Sequence, residues 1–167
     1  MTDSRDKSKE QLISELEKAL KKIRALEKPG KERKDVAKAL EISEQRFKNI
    51  IQSSPMGIHM YKLEPGDRLV FQGGNPAADN ILGVDNSRFI GKTIEDAFPP
   101  LIETEIPERY RRAASTGESW QTVHINYKDR QISGVYEVHA FRTAPDTMAA
   151  LFVDITERER TEQELKA

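Results

Sequence analysis

The stretch Asn75-Pro76-Ala77-Ala78-Asp79-Asn80-Ile81-Leu82-Gly83 permits few local folds. Asn at an N-cap accepts from an orphan N–H of the first helical turn. Pro at the next position loses nothing, because that N–H has no intrahelical partner and its φ is already preset. Ala77 and Ala78 favour helix, and Gly83 suits the left-handed position just past a helix end. Asn75, Pro76 and Gly83 therefore bound a short helix that follows an extended segment. A second constraint lies near the C-terminus. Met148 to Val153 is a continuous apolar run and reads as a buried strand. Asp154-Ile155-Thr156-Glu157-Arg158 follows it, with Thr156 and Glu159 at capping-box spacing, so a helix starts where the strand ends.

Between these marks the pattern is mostly strand. Gly57 to Leu63 and Arg68 to Gln72 read as strands around a Glu64-Pro65-Gly66-Asp67 turn. Residues 84–101 are short pieces stopped at Pro99-Pro100. Ile102, Ile106, Tyr110 and Ala113 or Ala114 have helical spacing, with Pro107 near the start and Gly117 at the end. Ser119–Tyr127, Ile132–Phe141 and Thr147–Ile155 read as three further strands. The fold class is α+β: a five-stranded antiparallel sheet with helices on one face.

The first fifty residues differ. Leu12, Leu16, Ala19, Ile23 and Leu26 follow the 4-3-4-3 spacing of an a/d seam. That register continues through Gly30 and Arg33 to Ala37, Leu40, Phe47 and Ile51, with a break expected at Pro29-Gly30. Two readings stand side by side: a parallel dimer seam, or a solvated amphipathic helix. The expected organisation is a helical or coiled-coil linker over 1–42, a globular domain over 43–156, and the start of an exit helix over 157–167.

Composition removes several function classes. The chain has no cysteine, which excludes disulfides, zinc–thiolate and iron–sulfur sites and a thiol nucleophile. A net charge of -1 supplies no field to draw in nucleic acid or a membrane surface. Basic residues from Lys18 to Lys38 are interleaved with acids and read as a solvated face. No apolar run approaches the roughly 20 residues of a membrane span. No phosphate-binding glycine loop or His-Glu-x-x-His motif occurs, so no enzymatic activity is expected. The three histidines precede Met60, Ile125 and Ala140, and none resembles a histidine-kinase phosphoacceptor. A soluble cytoplasmic protein is expected, with neither nucleic acid nor membrane as partner.

The element order resembles that of PAS domains, the sensor modules of bacterial signal transduction, over about residues 43–156. The resemblance is carried by Ser43-Glu44-Gln45-Arg46-Phe47, Ser54-Pro55-Met56-Gly57-Ile58, the Asn75–Gly83 run and Asp154-Ile155-Thr156. It implies a small-molecule site between the inner sheet face and the longer helix. It also implies a relay through Asp154 and Thr156 into the exit helix of a larger signalling protein, such as a two-component sensor histidine kinase. Ile125-Asn126-Tyr127 resembles a stretch of flavin-binding light-oxygen-voltage PAS domains, in which the matching Asn contacts the ligand. On that reading Trp120, Thr122, His124 and Asn126 face the pocket. On the opposite parity Val123, Ile125 and Tyr127 do, and both remain open. Met60, Tyr110 and Tyr136 complete the ligand-binding candidates. The ligand is unknown; a cysteine-adduct flavin has no thiol, and haem lacks a histidine on the longer helix. The expected partners are a second copy, through the N-terminal helix and the PAS surface, and a downstream effector domain or protein. The alternative is a ligand-free dimerisation or adaptor module.

Overall fold

The computed structural model describes residues 9–167; the part of the expected linker before Lys9 lies outside the described residues. The chain divides into a helical unit up to Lys48 and a globular unit, Asn49–Ala167. Helix α1 runs Lys9–Ser53 with Pro29 inside it, so the expected break at Pro29-Gly30 does not occur. A proline removes one helical hydrogen bond at a cost of about 3 kcal/mol. The Ala-, Leu-, Glu- and Lys-rich turns on either side favour helix enough to carry α1 through it.

The globular unit is built on one sheet. Strands β1 (Gly57–Glu64) and β2 (Arg68–Gly74) form a hairpin. Short helices follow: α2 (Pro76–Leu82), a 3₁₀ turn (Asn86–Phe89), α3 (Ile94–Ala97) and a second 3₁₀ turn (Pro99–Glu103). Helix α4 (Ile106–Thr116) precedes β3 (Trp120–Lys128), β4 (Ser133–Ala144) and β5 (Thr147–Asp154), and α5 (Thr156–Lys166) ends the chain. Sheet order is β2-β1-β5-β4-β3, every pair antiparallel.

Alternation along the strands separates two apolar layers. Tyr61, Phe71, Tyr136, Val138, Ala150 and Phe152 face α2, α3 and α4 and form the main core. Ile58, Ala149, Met60, Phe141 and Leu151 form a smaller cluster on the other face, joined by Ile51 from the end of α1. Ile51, the last residue of the heptad register, is thus committed to the globular unit.

Asn75 joins three elements. Its Oδ1 accepts from Ile58 N (2.8 Å) and Ala78 N (3.0 Å), while its Nδ2 donates to Ile51 O (3.0 Å) and Met56 O (2.9 Å). All four hydrogen-bonding capacities of a buried amide are used. Gly83 closes α2 with φ 67°, a conformation that only glycine adopts at little cost.

Two local expectations need correction. β3 does not keep one parity, because its pairing with β4 shifts between Thr122 and Ile125, putting one extra residue in β3. Such a bulge turns the following side chains to the other face. Thr122 pairs with inward Val138 and Ile125 with inward Tyr136, so both point to the core while His124 and Asn126 are exposed. The Val123 side chain lies outside the described residues. At α5 no capping box forms. Asp154 Oδ1 accepts from Thr156 N at 2.8 Å and from the Thr156 hydroxyl, and Glu159 reaches His124 instead. The preceding carboxylate supplies the first-turn acceptor that Thr156 was expected to provide.

Candidate functional site

Between the inner sheet face and α4 lies a cavity of about 60 Å³. About half of its wall is aromatic, including His59 and Tyr61 on β1, Phe98 before the second 3₁₀ turn, Tyr110 on α4, Tyr127 on β3 and Tyr136 on β4. Among the described residues no Asp, Glu, Lys or Arg lines it. A site of 300 Å³ or so is the lower end for drug-sized ligands. This one, as it stands, has room for about two waters or a solute of a few atoms, and a haem or flavin would need the walls to part.

His59 is the polar centre of the wall. Its ring stacks on Phe98 (5.3 Å between centroids) and meets Phe71 and Phe152 edge-on at 5.0 and 4.8 Å. Its Nε2 is 3.0 Å from Asn86 Oδ1. The Asn86 amide donates to Asp79 Oδ1 at 2.7 Å, so its oxygen is the acceptor toward His59 and Nε2 carries the hydrogen. Nδ1 is then the acceptor nitrogen of a neutral ring. Burial pushes the His59 pKa down to about 4, only partly opposed by the Asn86 hydrogen bond and the Asp79 charge. The tyrosines are also held neutral. Burial raises Tyr61 and Tyr110, and burial first, with the Asp154 charge second, takes Tyr136 up to about 12.

Tyr136 connects the cavity to the first turn of α5. It pairs across the ladder with Asp154. Gly134, two residues earlier on the same face, leaves space that a Cβ would take, 2.7 Å from Tyr136 Oη and 3.1 Å from Thr156 Oγ1. Thr156 Oγ1 accepts from Val135 N at 2.9 Å, and Ile155 N donates to Val135 O at 2.8 Å. β4, β5 and α5 therefore meet in one hydrogen-bonded junction beside a cavity-lining ring.

The residues singled out from the sequence fall into three places. Tyr110 and Tyr136 line the cavity. Trp120 is half-buried and edge-on to Tyr110 at 6.5 Å, and Thr122 is half-buried on the same face. Met60 is on the opposite face of the sheet, and His124 and Asn126 are exposed, so these three do not reach the cavity. Met60 shares its face with exposed Lys62, which marks that face as the outer one. The same alternation could have identified His59 and Tyr61 as inward. Asn86 and Asp79 carried no sequence signal, since their link to His59 is tertiary.

The family model for the PAS fold matches residues 52–160. Among solved structures, the chain is similar to an RNA-binding light-oxygen-voltage receptor, at 17% identity and TM-score 0.56, covering 74% of this chain and 36% of that one. It thus spans about a third of that receptor. A domain of a sensory box sensor histidine kinase/response regulator from Geobacter sulfurreducens matches at 14% identity and TM-score 0.55, covering 69% and 96%. The PAS domain of Bordetella pertussis BvgS matches at 16% identity and TM-score 0.52, covering 74% and 94%. No curated protein matches the chain. Identities this low speak for the fold alone, and with the family match over 52–160 they establish that this chain belongs to the PAS family.

Proposed function

We propose that the globular unit is a sensory PAS module that takes a small neutral solute into the aromatic cavity and passes the change to α5. The carrying observation is the cavity itself. It is walled by neutral hydrogen-bonding rings, has no charged side chain among the described residues, and lies one residue pair from Asp154. A charged solute entering it would lose its hydration without a counter-charge. A neutral one avoids that penalty among histidine and tyrosine rings that are themselves neutral groups able to hydrogen-bond. The ring of Tyr136 lines the cavity and its Oη lies against Gly134, which in turn lies against Thr156, and this supports a relay through the Asp154–Thr156 junction. A solute acts on such a relay only through different affinities for two states. Two of the similar solved structures, an RNA-binding light-oxygen-voltage receptor and a domain of a sensory box sensor histidine kinase/response regulator, agree with a signalling role. We assign no catalytic step, and the output belongs to whatever follows α5 or binds it.

Acetamide and acetate test this, being alike in shape and different in charge. Four non-hydrogen atoms bring at most about 6 kcal/mol, so affinities no tighter than tens of micromolar are expected. NMR titration should show acetamide, and not acetate, shifting the ring signals of His59, Tyr110 and Tyr136. Shifts of similar size from acetate, or none from either, would reject the neutral-solute reading.

One observation favours a second reading, a dimerisation module. Leu12, Leu16, Ile23 and Leu26 of the heptad seam are all at least half exposed in the single chain, and burying such an a/d seam takes a second helix. Replacing Leu16 and Ile23 with Glu should give monomers in sedimentation; dimers that persist would assign association to another surface.

A further inference from the structure

The bulge in β3 has a consequence for α5. It turns His124 out of the sheet, where its Nε2 meets Glu159 Oε1 at 2.7 Å. Glu159 lies in the second turn of α5, and its side chain is only 19% exposed, against 56% for His124. At its first residue α5 is tied to two other strands: Thr156 Oγ1 accepts from Val135 N on β4, and Asp154 Oδ1 on β5 accepts from Thr156 N and the Thr156 hydroxyl. α5 is thus held at its base by β4 and β5, and one turn further on by β3.

β3 is one of the two edge strands of the sheet. Its next residue after His124 is Ile125, which lines the cavity. One bulged residue step therefore separates a group that touches the cavity from one that holds the helix. Bulges re-aim side chains in this way, and here the step joins the two faces of one strand. We propose that His124 is a positioning residue for signal output: through Glu159 it gives β3 its own hold on α5, in parallel with the Asp154–Thr156 junction. This rests on the reading of α5 as the output element.

The test is hydrogen exchange of the full chain, read by mass spectrometry over residues 157–166. The variants are His124→Ala, His124→Gln, Glu159→Ala, the double His124→Ala/Glu159→Ala, and Asp154→Ala as reference. An exposed polar pair of this kind changes an opening equilibrium by about two- to five-fold. His124→Ala and Glu159→Ala should each speed exchange in that range without slowing or speeding the β1–β2 hairpin. The double variant should match the singles, because one contact has been removed twice. His124→Gln, which keeps a donor, should bring exchange back toward the wild-type rate. Wild-type exchange in His124→Ala with faster exchange in Asp154→Ala overturns the role of His124 and leaves the relay through the junction standing. Unchanged exchange in both removes the relay as well. An acceleration that Gln fails to reverse, or one that adds to that of Glu159→Ala, overturns the pairing.

Discussion

Acid should weaken this protein through His59 in a range where most carboxylates are still ionised. The ring is neutral and buried against Phe71, Phe98 and Phe152, and its pKa falls from the ordinary 6.5 to about 4. The unfolded chain therefore binds one more proton than the folded chain between those values, and stability rises with pH there. The full contribution is present above about pH 6.5 and is lost as pH falls toward 4. At about 1.4 kcal/mol per pKa unit, the loss between pH 7.5 and 4.5 is about 2–3 kcal/mol. Urea unfolding at stepped pH would measure it, with His59→Gln as the reference. Gln can donate to Asn86 Oδ1 but does not titrate, so subtracting its curve removes every other group. The difference in unfolding free energy between wild type and His59→Gln should shift by that amount, against the wild type, as pH falls. Parallel curves would refute the buried neutral ring, and with it the neutral character of the cavity.

Two further substitutions probe the frame. Asn75→Ala removes four hydrogen bonds and leaves Ile58 N on β1 without its acceptor, while Ala78 N, Ile51 O and Met56 O each keep one other partner. At about 1–3 kcal/mol for the orphaned donor and about 0.5–1 kcal/mol for each of the other lost bonds, urea unfolding should register a loss of about 3–5 kcal/mol. Gly134→Ala places a Cβ within 2.7 Å of Tyr136 Oη and 3.1 Å of Thr156 Oγ1. It should cost about 1–3 kcal/mol and speed hydrogen exchange in α5 more than in the β1–β2 hairpin.

The fold was legible in the sequence because its signals are local. The caps of α2 at Asn75, Pro76 and Gly83, the closing glycine of α4 and the apolar run of β5 each state their element within a few residues. Signals that depend on context misled. Pro29 implied a break that strong helix formers on both sides override. Thr156 and Glu159 have capping-box spacing, yet Asp154 takes the first-turn donor and His124 takes the glutamate. In β3, the Asn126 resemblance put Trp120, Thr122, His124 and Asn126 inside, while the opposite parity put Val123, Ile125 and Tyr127 there. That conflict was itself the trace of a bulge, which no glycine announced. The wall of the cavity was half visible. Tyr110 and Tyr136 follow from periodicity, whereas the His59–Asn86–Asp79 chain exists only once α2 and the first 3₁₀ turn fold onto β1.

The central claim, that the state of the cavity reaches α5, can be tested without a known ligand. Val138→Leu adds one methylene to the wall of a cavity of about 60 Å³, enough to occupy part of it from within. Hydrogen exchange would be read over residues 157–166 and over the β1–β2 hairpin, with thermal unfolding to establish that the fold is intact. The account predicts that exchange in α5 shifts by at least about two-fold while the hairpin stays at its wild-type rate. Wild-type exchange in α5, in a folded variant whose cavity ring signals have moved, would contradict it.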